Sequence, residues 1–199
     1  LVDMLTFDRV DFEKNISLSI KKKVIIESKW EQVKVEDVFV EIKNGKNVNQ
    51  SDLKGKYRVS RIESIADATF NIDATKWSDD EVDENDFLLK GDILLSHIKS
   101  VEHLGKTALY NLDEKIIHGV NLLRFRPNKL KVIPRYVSEI LKLKEFIFEV
   151  QKYAIKAANQ ASLNATNIKS LKIPLPPLSI QQKIVDEIEV LETKENKAK

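Results

Sequence analysis

Lys172-Ile-Pro-Leu-Pro-Pro-Leu-Ser-Ile-Gln-Gln-Lys-Ile-Val185 is the stretch from which the rest of the chain is organised. Pro174, Pro176 and Pro177 lack the amide hydrogen that a sheet ladder needs and hold the backbone extended. They predict a strand end that continues as a stiff, polyproline-like arm leaving the globular body. Ser179 is placed to cap a helix, and Gln182, three residues on, to close a capping box. Beyond it Ile184, Ile188 and Leu191 recur at four- and three-residue spacing among Gln, Lys, Asp and Glu, an apolar stripe that calls for a partner.

Upstream of the proline run the periodicity is helical. Pro134 suits the first turn of a helix in which Val137, Ile140, Leu141, Ile147 and Val150 recur as far as about Tyr153. Asn164 is placed to cap a shorter helix with Ile168 and Leu171 on one face. Further back the chain reads as strand: Tyr57 to Ile62, Phe87 to Leu89, Asp92 to Ile98, Lys106 to Tyr110, Lys115 to Ile117 and Asn121 to Phe125 are short apolar runs separated by Gly, Asn and Asp. Their spacing leaves no room for crossover helices, so a mainly antiparallel twisted sheet is expected. Strands first and helices later make the fold class α+β. Lys34 to Val40 reads as a short helix entering the domain, and Lys90-Gly91-Asp92 as a tight turn. Leu1 to Lys23 has no strong period. The expected organisation is a lead segment or linker over residues 1–29, a globular domain over 30–178 and a helix over 179–199.

Charge is distributed unevenly although the net is only +2. Lys43 to Arg61 carries six basic residues (Lys43, Lys46, Lys54, Lys56, Arg58, Arg61) against the single acid Asp52, interleaved with Asn44, Asn47, Asn49 and Gln50. Lys142 to Lys172 carries six lysines against Glu145 and Glu149, whereas Lys76 to Asp92 has seven acids and two lysines. A duplex would be drawn to the first two regions and repelled by the third, which reads as a solvated excursion. The plain alternative for each lysine is a solubilising surface charge. Amides in the first region and in Gln160-Ala-Ser-Leu-Asn164 can pair with adenine edges, although the same residue types serve loops and caps, and Asn164 fits a cap better than a ligand contact. Lys152 and Lys156 would contact phosphates.

Catalytic patterns are missing. No cysteine joins His97, His103 and His118 to complete a zinc site, and each histidine reads as a buried or neutral surface group. The acidic run lacks the Gly and the ligand spacing of a calcium loop, and no phosphate-cradling loop occurs. The Pro-Pro after Leu175 is not the Asn/Asp-Pro-Pro-aromatic motif of adenine methyltransferases, and no Gly-rich turn for S-adenosylmethionine is present. The chain by itself is expected not to be an enzyme. No apolar run approaches the roughly 20 residues of a membrane span, and the lack of cysteine suits a cytoplasmic address.

In order and spacing these elements resemble the specificity subunits of type I restriction-modification enzymes. The similarity runs from Trp30-Glu-Gln-Val-Lys-Val-Glu-Asp-Val38 through Ile42-Lys-Asn-Gly45, the strand at Tyr57, Leu88-Leu-Lys-Gly-Asp-Ile-Leu-Leu-Ser96 and Gln160 to Asn164 into the proline run, about Trp30 to Leu191. It implies a target recognition domain reading one half of a bipartite double-stranded DNA site, and a conserved helix that sets the distance to a second recognition domain and docks the methyltransferase. Adenine methylation and cleavage would then be carried by a methyltransferase subunit or fused domain and a restriction subunit, with S-adenosylmethionine on the methyltransferase and no cofactor in this chain. The start at Leu1 suggests a piece of a longer polypeptide, such as the end of a fused methyltransferase-specificity protein, or a half-size subunit that pairs with itself. The loop after Ser96, containing His97 and Lys99, would lie near DNA. The expected DNA-facing pool is Lys43, Asn44, Lys46, Asn47, Asn49, Gln50, Arg58, Arg61, Ser96, Lys99, Gln160 and Ser162, with Ile184, Ile188 and Leu191 as the dimerisation stripe of a coiled coil. The competing reading is a protein-interaction module that uses the Pro-rich segment and the helix without specific DNA binding.

Overall fold

The computed structural model describes residues 28–66, 68–97, 105–157 and 165–198. Along the chain come β1 (Gln32–Lys34), a 3-10 turn at Val35–Val38, β2 (Phe39–Asn44), β3 (Tyr57–Val59), β4 (Lys76–Ser78), β5 (Ile93–Ser96), β6 (Thr107–Leu109), β7 (Ile116–Ile117) and β8 (Leu122–Pro127). Then follow α1 (Pro134–Lys142), α2 (Lys144–Ala157), α3 (Ala165–Lys169), β9 (Lys172–Pro174) and α4 (Leu178–Ala198). The α+β class expected from the pattern is the class observed.

The central sheet has the order β2-β8-β5-β6 and is antiparallel throughout. Alternation along β8 sorts its two faces. Leu123 and Phe125 join the core under α1, α2 and α3 together with Val137, Ile140, Leu141, Phe146, Val150 and Ile168. Leu122 faces the other way, with Leu94, Ala108, Ile65, Ile116 and Tyr110. Over that second face lies a three-stranded sheet, β4-β3-β7, whose own small core is Val59, Phe87 and Ile117. The β3–β7 pair is parallel, an exception to the antiparallel expectation, because the chain crosses the central sheet through β5 and β6 before returning to β7. The Phe87–Leu89 run does not form a strand; Phe87 makes one isolated bridge to Ile117.

Several local expectations are corrected by packing. Lys34 to Val40 is a strand end, one 3-10 turn that buries Val35 and Val38, and the start of β2, not a helix. The helix from Pro134 stops at Lys142, with Leu143 extended, and restarts at Lys144. The reason is phase: nine residues are about two and a half turns, so one straight helix carrying Val137 inward would point Phe146 at solvent. The break at Leu143 turns Phe146 and Val150 back into the core. Ile168 and Leu171 are buried as expected, whereas the Asn164 cap lies outside the described residues.

The proline run is not an arm that leaves the body. It closes the domain as β9, antiparallel to β1, with Pro174 opposite Gln32 and the Leu175 N–H donating to Glu31 O at 2.9 Å. Pro174 is buried and its carbonyl accepts the Tyr136 hydroxyl at 3.0 Å. The predicted capping box does not form either. Helix α4 begins one residue before Ser179, and the Pro177 carbonyl accepts the N–H groups of Ile180 and Gln181 at 2.8 and 3.0 Å. Gln182 instead donates to Asp186 within the helix at 2.7 Å. Among the described residues no helix is long and apolar enough to cross a membrane.

Candidate nucleic-acid interface

One end of the central sheet collects the pieces. There β2 ends at Asn44 opposite Leu123, β8 begins at Leu122, and β5 ends at Ser96 opposite Leu122. The loop 45–56 starts from this end and is pinned along its length. Lys46 N–H donates to His118 O at 2.7 Å, Ser51 and Trp77 exchange backbone hydrogen bonds of 2.9 Å, and the Asn49 and Lys56 amides donate to the carboxylates of Asp80 and Asp79, both at 2.8 Å. At its root three backbones meet. A Cβ on Gly45 would lie 2.1 Å from Gly119 O, and one on Gly119 would lie 2.0 Å from Ser60 O, so only glycine fits at either position. Ser60 Oγ accepts the Gly119 N–H at 3.0 Å and locks the junction.

The acidic stretch is not a solvated excursion; it folds back on the basic one. Asp86 lies 3.5 Å from both Lys43 Nζ and Lys46 Nζ, Glu81 pairs with Lys56, Asp52 with Lys76, and Glu84 with Lys115. Apart from the half-buried Asp86 contacts, these exposed pairs contribute little to stability individually. Their consequence is electrostatic: the cluster of cations read from sequence is largely neutralised, and Lys43, which also donates to Asn85 O at 2.8 Å, is committed to structure. Arg61 pairs with its neighbour Glu63 at 3.2 Å, and the Asn49 amide donates to Asp80 at 3.3 Å. The groups left over are specific. Asn44, Asn47 and Gln50 are exposed, with no side-chain hydrogen bond among the described residues, and exposed Lys54 has no acidic partner among them. Arg58 stacks 4.4 Å over the Trp77 ring and donates to Ile72 O (3.2 Å) and Thr75 Oγ1 (3.0 Å); no carboxylate neutralises it among the described residues.

Ser96 is fully buried at the end of β5, its hydroxyl without a partner among the described residues, so it sits beneath the surface and not on it. Lys99, Gln160 and Ser162 lie outside the described residues. Among the helix residues, Ile184 packs against the core, Ile188 is half-buried, and Leu191 is 60% exposed beside Val190 at 51%.

Beneath the interface runs a charged network that the sequence reading missed. Arg124, 0% exposed, donates to Phe87 O at 2.9 Å and Asn85 O at 3.0 Å and pairs with Glu41. Asp92, 1% exposed, accepts Arg126 Nε at 2.9 Å and Nη2 at 2.8 Å together with the Leu89 N–H at 2.8 Å. Burial pushes the Glu41 carboxyl upward, but its hydrogen bond to Arg124 and the charges of Arg124, Lys43 and Arg126 outweigh this and hold it below the usual carboxylate range. The Gly91-Asp92 turn is therefore an anchor as well as a bend, with Gly91 at φ +100°. The available signal was arginine at alternate positions, Arg124 and Arg126, of the apolar strand Leu122–Pro127, which places two cations on one face.

His118 offers a pH test of this layer. It is fully buried, its Nε2–H donates to Leu122 O at 2.9 Å, and burial, followed by the charge of Arg124, lowers its pKa from 6.5 to about 3. The unfolded chain takes up a proton as pH falls below 6.5 and the folded chain does not until about 3. Stability present above 6.5 is thus lost across that window, by up to about 1.4 kcal/mol per pH unit. Urea midpoints at pH 7, 5.5 and 4.5 should fall, and His118→Gln should flatten the slope. An imidazole that NMR finds protonated at pH 5 in the folded chain would refute the assignment.

Residues 27–199 match the family described as type I restriction modification DNA specificity domain. A putative type I restriction enzyme MjaX specificity subunit from Methanocaldococcus jannaschii is 42% identical over 163 residues, covering 78% of this chain and 37% of that protein. Among solved structures, a chain from work on complex assembly and conformational transition of the type I R-M system superposes with a TM-score of 0.63 at 16% identity, covering 92% of this chain and 43% of the other. The type I restriction-modification S subunit from M. genitalium gives 0.56 at 14% identity, with 96% and 44% covered. The HsdS subunit from Thermoanaerobacter tengcongensis gives 0.52 at 16%, with 94% and 45% covered. These structures share the α+β fold, and the chain spans about two fifths of the length of the relatives it matches.

Proposed function

The chain belongs to the type I restriction modification DNA specificity domain family, and from that premise we propose that its globular part reads one half of a bipartite double-stranded DNA target. The observation that carries this reading is the pinned loop 45–56 with its flanking strands: Asn44 at the end of β2 and Asn47 and Gln50 on the loop keep free amides, and Lys54 on the loop and Arg58 on β3 have no acidic partner among the described residues. Free amides on a backbone that need not reorganise suit bidentate pairing with adenine edges, while lysine and arginine position the duplex through phosphates. Methylation and cleavage fall to a methyltransferase subunit or fused domain, which would hold S-adenosylmethionine, and to a restriction subunit. The exposed Val190 and Leu191 on α4 are the surface through which a second recognition domain or a second copy would pack.

The test is selection of bound duplexes from a randomised pool by this chain at low and near-physiological salt. A short motif should be enriched at both. Asn47→Ala or Gln50→Ala should relax one base position at a loss of about 1–3 kcal/mol, whereas Lys54→Ala should weaken every duplex alike and reduce the salt slope by about 1. No motif at either salt, or uniform losses from all three variants, would overturn base reading. Retained partner binding insensitive to salt would then favour an interaction module. Light scattering of Leu191→Glu reads the helix: self-association unchanged from the native chain would remove Leu191 from the pairing surface.

A further inference from the structure

Gln181 is 0% exposed on a helix whose neighbours Gln182 and Lys183 face solvent. Its amide uses its acceptor and both donors. Oε1 accepts the Ile133 N–H at 2.8 Å, and Nε2 donates to Pro176 O at 2.8 Å and Lys131 O at 3.1 Å. Those three backbone groups belong to the entry of α1, the β8–α1 connection and the proline run, and none finds a partner in the backbone ladders and turns. One side chain thus satisfies three orphaned groups from two separate stretches of chain. Farther along the same face, at helical spacing, come Val185, which is buried in the core, Ile188, and Glu192, which pairs with Arg135 on α1. Gln181 and Glu192 are about 16 Å apart along the axis. Two anchors that far apart fix a direction as well as a point. The root of α4 also lies where β8 ends, at the end of the central sheet opposite Asn44 and Ser96.

We propose that Gln181 is a positioning residue, a side-chain joint that holds α4 at one angle to the globular part and so sets where the helix carries its partner relative to the interface. The spacing role rests on the functional reading above, whereas the joint itself is tested without DNA, so the two can fail separately. A methionine at this position would fill much the same volume but leave three buried polar groups unpaired, and a glutamate would aim its charge at two carbonyl oxygens.

The chain contains no cysteine, so spin labels at Asn121→Cys and Lys197→Cys, both exposed positions, report the angle of α4 without interference. Pulsed dipolar spectroscopy on the full chain should give a single narrow distance distribution in the native background. Gln181→Met should lose that single peak, and Gln181→Glu should broaden it further, while the urea midpoint of each shows whether the domain is still folded. A general structural role would lower the midpoint and leave the distribution of the folded fraction narrow, and that result would overturn the joint. A broad native distribution would do the same. Should both variants fail to fold, the native chain still decides: the Ile133 amide, which among the described residues donates to Gln181 alone, should exchange on the order of 100-fold slower than an unprotected amide. Exchange at the unprotected rate would reject the proposal.

Discussion

Replacing Asp92 with alanine is expected to lower the unfolding free energy by about 3–5 kcal/mol, the range for removing one partner of a buried ion pair. The carboxylate accepts two hydrogen bonds from Arg126 and one from the Leu89 amide, and lies 3.8 Å from Arg124 Nε. Its loss leaves a fully buried Arg124 with Glu41 as its remaining carboxylate and strands the Leu89 N–H. For a chain of this size the fall in Tm should be on the order of 10 °C. Lys90→Ala, two residues before Asp92, breaks the exposed 3.0 Å pair with Asp113; it is the control and should change stability by less than about 1 kcal/mol. Urea titration of both variants checks the difference. Equal, small effects would mean that the arginines relax to water and that the network does not hold the acidic segment in place.

Gly119→Ala should be nearly as damaging, for a steric reason. The added Cβ would sit 2.0 Å from Ser60 O, and that oxygen belongs to backbone held by the Ser60 N–H bond to Ile117 O at 2.9 Å, so it cannot swing aside like the end of a side chain. Overpacking of this kind costs about 1–3 kcal/mol and more where backbone must move. Because the junction supports the root of the loop 45–56, DNA affinity should fall together with the thermal midpoint, whereas Asn47→Ala should lose affinity at an unchanged midpoint. An unaltered midpoint in Gly119→Ala would show that the three backbones can part at little cost.

Legibility in the sequence followed the range of the interaction. The strands at Ile93, Thr107 and Leu122 and the helix opened by Pro134 were readable because alternation, helical period and proline's fixed φ act over a few residues. The amide-rich composition of the loop was readable for the same reason, since composition is local. The break at Leu143 was not, because each half of Pro134 to Tyr153 is individually helical and only the position of the core decides which phase each half must take. The stripe on α4 shows the same limit. Ile184, Ile188 and Leu191 share a face by spacing, yet the contacts that seat α4 on the domain are made by Gln181, Ile184, Val185 and Glu192, and a buried glutamine is favourable there because three unpaired backbone groups converge on it.

By itself the sequence determined the α+β class, the strands at Tyr57, Ile93, Thr107, Ile116 and Leu122, the helix opened by Pro134 and the family, all of which depend on local pattern or on residue order. Only the tertiary structure decided the electrostatics and the geometry. Acids that are 25 to 43 positions from their cations in sequence pair with them across the fold, so a stretch that reads as strongly basic is largely neutral and a few amides and cations are left to face a ligand. A run of prolines that reads as an exit is drawn into pairing with the first strand of the domain. Coulomb attraction and hydrogen bonding depend on distance through space, which the chain's one-dimensional order does not contain until the core has brought its segments together.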